Sequence, residues 1–224
     1  MDRFEEILKE STTRINDILE NKLFNYPFFN NTNYEKNIKT FKKVICDDAS
    51  YLLNSPAVYF SSINTLVVNL RVINQETITV EALTTLLLHE IIHMASTNLD
   101  NLNIGYISNN GGYPKIYTEA ATQYLTLKLL YGDNIEEAIN NNYIYPEAVK
   151  LFSKMVDEVG EEVVFNGFFE ADPNKHREEL PMDRLLVWGN YILQMVNLEE
   201  QAYCDDIEKS VEDAIDKQNK NKGL

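Results

Sequence analysis

The sequence predicts a mainly α (α+β) fold, in which helices surround a small antiparallel sheet lying beside one buried helix. Three observations carry this. Apolar residues recur at helical spacing along most of the chain. Only residues 57–73 give a clear β signal, with Leu66, Val68, Leu70 and Val72 alternating with Val67, Asn69 and Arg71 at the period of a strand. The run Leu86-Leu87-Leu88-His89-Glu90-Ile91-Ile92-His93-Met94-Ala95 is apolar over much of its circumference, as a helix enclosed on several sides is. With 224 residues, 44% hydrophobic and 25% charged, the chain has the size and composition of one globular domain. It divides into N-terminal helices (1–56), the sheet with two central helices (57–132) and a C-terminal helical lobe (133–224).

Taken in order, Phe4, Ile7, Leu8, Ile15, Ile18 and Leu19 predict a first helix that Asn25-Tyr26-Pro27 ends. After an Asn-rich connector, Ile38, Phe41, Ile45 and Leu52 predict a second amphipathic helix. Its other side carries Lys36, Lys39, Lys42 and Lys43, a solvated basic face. Ala57-Val58-Tyr59-Phe60 and Thr65 to Ile73, joined by a turn at Ser61-Ser62-Ile63-Asn64, predict the two strands. Thr79 is placed to cap the buried helix, with Glu81 in its first turn. Residues 98–112 are polar and rich in Asn and Gly, the composition of a loop. Pro114 opens the next helix, which carries Ile116, Ala120, Tyr124 and Leu127 on one stripe and stops near Gly132. A further helix is expected from Pro146 to Val159, with Gly160 as its stop. Val163, Val164, Phe168 and Phe169 suggest a short one, and a last long helix begins near Asp183 and runs through Leu186, Leu193, Tyr203 and Ile207. The tail from Lys217 to Lys222 lacks apolar residues and is expected to fray.

Within the buried helix stands H-E-x-x-H. His89 and His93 are one turn plus about 40° apart, so both imidazoles leave the same face and can hold one metal ion. Glu90 lies next to the first ligand, where a carboxylate reaches a metal-bound water without binding the metal. Two histidines and a carboxylate on a buried helix require partners. A catalytic site needs a third ligand, and the candidate is Glu119 in Tyr117-Thr118-Glu119-Ala120-Ala121-Thr122-Gln123-Tyr124-Leu125.

H-E-x-x-H followed by a helix bearing Glu119-Ala120 resembles the gluzincin metallopeptidases of the thermolysin-like clan. The long gap from His93 to Glu119 is closer to that of the minimal single-domain members, the ImmA/IrrE-like minigluzincins. The resemblance covers the middle of the chain. It implies a zincin-like metalloprotease core, one Zn2+ per chain held by His89, His93 and Glu119, and a small residue, Ala120, that lets the two helices pack closely. It implies Glu90 as general base for hydrolysis of a peptide or protein substrate. It also implies a strand within 57–73 as a sheet edge against which an extended substrate lies. The family often adds a Tyr or His that stabilises the oxyanion. Here the candidates are Tyr113 and Tyr117, which flank the second ligand helix, and His176, the remaining histidine. His176 stands in the charged stretch Asp172-Pro173-Asn174-Lys175-His176-Arg177 and is expected at the surface. A zinc-binding regulatory module without turnover would carry the same motif.

The net charge of −15 and a pI near 4.6 argue against nucleic acid and anionic membranes as partners, since both need clustered Lys and Arg. The start, Met1-Asp2-Arg3-Phe4-Glu5-Glu6, has no apolar signal core, and no run long enough to span a bilayer follows. A cytoplasmic protein is expected, with Cys46 and Cys204 as free thiols.

Overall fold

A computed structural model describes residues 3–108, 112–178 and 187–198. The first helix, α1 (Arg3–Ile18), continues into a π-helical turn, Leu19–Leu23, and buries Phe4, Ile7, Ile15 and Ile18. α2 (Asn31–Ile38) starts where the side chain of Asn30 accepts the Thr32 N–H. The predicted second helix departs from the structure beyond Ile38. Residues Lys42–Cys46 form strand β1, and only a 3₁₀ turn, Ser50–Leu52, remains of the helical reading. Val44 and Ile45 are β-branched and favour extended backbone. The neighbouring strand also offers the backbone partners that a helix would have had to supply itself.

That neighbour is β3 (Thr65–Asn69), the centre of a three-stranded sheet in the order β1-β3-β2, with β2 spanning Ala57–Phe60. β2 pairs with β3 antiparallel, Val58 opposite Val67, and β1 pairs with it parallel, Val44 opposite Val67. The sheet is therefore mixed rather than antiparallel. The parallel strand was hidden because β1 is exposed on both faces for most of its length and shows no alternation of apolar and polar residues. β3 stops at Asn69, short of the predicted Ile73, because the Asn69 side chain turns the chain by accepting the Arg71 N–H. Leu66 and Val68 join the main core, while Val67 packs on the other face with Ala49 and Leu52.

α3 (Val80–Ala95) occupies the middle of the molecule, packed against α1, α2 and β2 and against α4 (Lys115–Tyr131). At the start of the predicted 98–112 loop, residues 97–104 carry a two-residue ladder, β4 (Thr97–Asn98) with β5 (Asn103–Ile104). Beyond α4 come α5 (Ile135–Asn140), α6 (Pro146–Val159), α7 (Glu161–Phe165) and α8 (Pro173–Glu178), followed by helical residues 187–198. α6 takes the predicted bounds, with Pro146 in its first turn and Gly160 at φ 88° after its end. Phe168 and Phe169 follow α7 in a turn rather than in a helix, yet both are fully buried. The main core is continuous from Phe4 on α1 to Met195. The predicted last helix from Asp183 to Ile207 falls partly, and the tail and Cys204 wholly, outside the described residues. Cys46 is a free, partly buried thiol. No helix among the described residues is long and apolar enough to cross a membrane.

Candidate metal centre

Of the two helices that build the site, α3 is fixed at both ends by side chains. Thr79 caps α3 by accepting the Ala82 N–H at 3.1 Å. At the other end Thr97 donates to the His93 carbonyl at 2.7 Å, and Asn37 Nδ2 donates to the Met94 and Thr97 carbonyls, both at 2.7 Å. These bonds satisfy carbonyls that a helix C-terminus leaves open. α4 is buried from Ile116 through Leu127, and Ala120 and Ala121 are both fully enclosed. Small side chains at that point let α3 and α4 approach.

The approach brings His89, His93 and Glu119 together, all buried. His93 Nε2 lies 3.1 Å from His89 Nε2 and 3.1 Å from Glu119 Oε2, and the third side, His89 Nε2 to Glu119 Oε2, is 3.3 Å. Bonds of about 2.0–2.1 Å in tetrahedral coordination set donor atoms roughly 3.3 Å apart. The triangle has that size, so the three side chains could together hold one zinc ion.

The outer nitrogens support the same reading. His89 Nδ1 meets Gln123 Oε1 at 2.9 Å, and His93 Nδ1 meets Thr122 Oγ1 at 3.4 Å. An amide oxygen only accepts, so His89 Nδ1 carries a proton, and the neutral ring then has its lone pair on Nε2, toward the triangle. α4 thus supplies Glu119 and a support for each histidine, at spacings of three and four residues that share one helix face. Thr122 and Gln123 are candidate supports of the two histidines that the sequence reading passed over. Their spacing from Glu119 was the signal. Burial works against ionisation of Glu119, but neighbouring His93 above all holds its carboxyl well below the usual range. Lys115, one turn earlier, stands 3.8 Å from its other oxygen.

Glu90 does not join the triangle. Its Oε2 accepts the Tyr59 backbone N–H of β2 at 2.7 Å. Burial pushes its carboxyl up to about 7, with neighbouring His89 opposing the rise and the Glu119 carboxylate adding to it. A cation in the triangle would draw it back down.

The centre opens into a cleft of about 760 Å³ whose lining includes Leu53, Ala57, Tyr59, Lys115, Tyr143 and Tyr145. Tyr113, Tyr117 and His176 are not among the residues lining it. His176 is fully buried, against the expectation of an exposed residue. α8 turns Pro173 and His176 inward while Asn174, Lys175 and Arg177 stay in solvent. Its Nδ1 donates to the Val163 carbonyl at 2.9 Å, its Nε2 faces the Tyr117 hydroxyl at 2.9 Å, and its ring stacks on Tyr106 at 4.5 Å. Tyr113 packs edge-on against Trp188. The tyrosines at the cleft are Tyr59, Tyr143 and Tyr145, and nothing in their spacing from H-E-x-x-H marked them.

The chain matches no family model, and comparison with curated proteins and with solved structures finds no significant match.

Proposed function

We propose that the protein is a zinc-dependent metallopeptidase with a zincin-like core, binding one zinc ion per chain through His89, His93 and Glu119 and hydrolysing peptide bonds in the cleft above them. The observation that carries the reading is the triangle of 3.1 to 3.3 Å between three ligand atoms, with Glu90 beside it and open space in front. Zinc bound there supplies a Lewis acid that polarises a carbonyl and lowers the pKa of water.

The chain's own groups do the rest. Glu90 takes the proton from the attacking water and returns it to the leaving amine. The Tyr59 N–H holds one of its oxygens and leaves the other for this task. β2 offers the substrate a backbone edge. Tyr143 or Tyr145, on the cleft wall, donates a hydroxyl to the developing oxyanion, in the place the sequence suggested for Tyr113, Tyr117 or His176.

The test is zinc stoichiometry and cleavage of a broad peptide library, comparing wild type with Glu90→Gln. Glutamine keeps the size and the bond from Tyr59 but cannot act as base. Turnover is expected to fall by roughly 10²–10⁴-fold, with one zinc retained in both proteins. His93→Ala is expected to abolish stoichiometric zinc. Zinc without cleavage in the wild type would leave a zinc-binding module in place of a peptidase. Unchanged cleavage in Glu90→Gln would move the base elsewhere.

A further inference from the structure

Resting on the zinc reading, we propose that Asn142 is a positioning residue that ties His89 to the Tyr143-Ile144-Tyr145 wall of the cleft through two side-chain amides. Protons can be assigned along this relay from its outer end. The Ile144 N–H donates to Asn142 Oδ1 at 3.2 Å, and Asn142 Nδ2 donates to the Ile144 carbonyl at 2.5 Å. A backbone N–H only donates and a carbonyl only accepts, so the orientation of the Asn142 amide is fixed. Gln123 meets the same Oδ1 at 2.9 Å, so it faces Asn142 with Nε2 and His89 with Oε1. His89 must then hold its proton on Nδ1. The tautomer that frees Nε2 for a metal is dictated by a main-chain N–H two residues beyond Asn142.

The same asparagine holds the wall. It grips both polar groups of Ile144, between two tyrosines that line the cleft, one of them, Tyr143, 72% exposed. Tyr145 has φ 48°, a left-handed conformation unusual for a bulky residue and disfavoured before Pro146. Such backbone persists only where its surroundings determine it. Gln123 is fully buried, so turning its amide over would set acceptor against acceptor at Asn142 with no water to relieve it. The relay therefore has one satisfied arrangement, shared by ligand and wall. Whatever metal binding adds to the order of the wall, a substrate pressed against the wall returns to metal affinity by the same factor.

The experiment uses the full chain. Zn2+ affinity is measured against a chromophoric chelator, imidazole tautomers by ¹⁵N NMR of the metal-free protein, and hydrogen exchange at residues 143–145 with and without Zn2+. Changes to a metal ligand's outer partners typically cost 10–100-fold in affinity. Asn142→Ala is expected near the lower end, about tenfold, with mixed His89 tautomers and faster exchange at Ile144. His93, which leans on Thr122, should keep its tautomer, and this separates a broken relay from a loosened fold. Asn142→Asp keeps the acceptor for Gln123 but turns an oxygen toward the Ile144 carbonyl. It should restore the His89 tautomer and leave the wall exchanging fast. Wild-type affinity and a single His89 tautomer in Asn142→Ala overturn the proposal. A wild type that binds no zinc overturns the centre and the coupling together, and the tautomer measurement then decides the relay on its own.

Discussion

At the scale of single residues, burial sets the character of two groups that one motif search treats very differently. Glu90 belongs to H-E-x-x-H and was legible at once. His176 belongs to no motif, and its charged neighbours in sequence pointed to solvent. The structure encloses it instead, because α8 is short and only one of its faces, that of Pro173 and His176, turns inward. Burial lowers its pKa from the ordinary 6.5 to about 4, the Val163 carbonyl opposing and the Arg177 charge adding. The native state therefore keeps His176 neutral where the unfolded chain protonates it. This contribution to stability is complete above the unfolded pKa. It is lost as pH falls from about 6.5 toward about 4. Between pH 7 and pH 5 the loss is about 2 kcal/mol, since one pKa unit corresponds to 1.36 kcal/mol. Glu90, whose carboxyl is raised, gains stability over the same range. The test is therefore the difference between wild type and His176→Gln in urea unfolding, which should favour wild type at pH 7 and shrink by about 2 kcal/mol at pH 5. An equal pH dependence in both proteins would refute the assignment.

At the scale of elements, what could be read in advance were the helices with their own signals. α6 has Pro146 at its start and Gly160 past its end, α3 has Thr79, and α4 carries apolar residues over most of its turns. β1 could not be read. Its residues are exposed, so their pattern records no burial, and it exists because β3 has an open edge 20 or so residues later. The C-terminal end of α3 was equally unreadable, since its cap comes from another helix. Asn37 is fully buried and sends both protons of its amide to carbonyls, while its own Oδ1 has no partner. Asn37→Ala strands two buried acceptors beside His93 and should cost roughly 2–3 kcal/mol. Asn37→Asp, closer in shape, should be worse, because it sets a carboxylate against the same two carbonyls. Urea midpoints decide the order. An aspartate variant as stable as wild type would show that the amide is not the cap.

At the scale of the whole molecule, the sheet joins the halves of the proposed chemistry. The sequence marked 57–73 as holding the edge but could not say which strand it was, because both stretches are rich in strand-forming residues. Hydrogen bonds resolve it. Asn69 N–H donates to the Pro56 carbonyl across the β2–β3 pair, and Tyr59 N–H turns away to Glu90. In an antiparallel pair successive residues alternate in direction. Val58 and Phe60 therefore face β3, and Ala57 and Tyr59 present their polar backbone groups on the opposite side, where the cleft lies. With the Tyr59 N–H committed to Glu90, the edge left to a peptide consists of the Ala57 N–H and C=O and the Tyr59 C=O. Proline is tolerated where a strand's N–H points off the sheet, so Ala57→Pro should fold and bind zinc as the wild type does. It deletes one donor to the substrate. A single such hydrogen bond is worth about 0.5–1.5 kcal/mol, so KM for a cleaved peptide should rise roughly two- to twelvefold. Val58→Pro is the contrasting change. It removes an N–H that faces β3 and should destabilise the sheet itself, with loss of zinc affinity as Glu90 and α3 lose their neighbour. An unaltered KM in a folded, zinc-loaded Ala57→Pro protein would mean that the peptide does not run along β2, and the cleft would then have to hold its substrate by the side chains of Leu53, Tyr143 and Tyr145 alone.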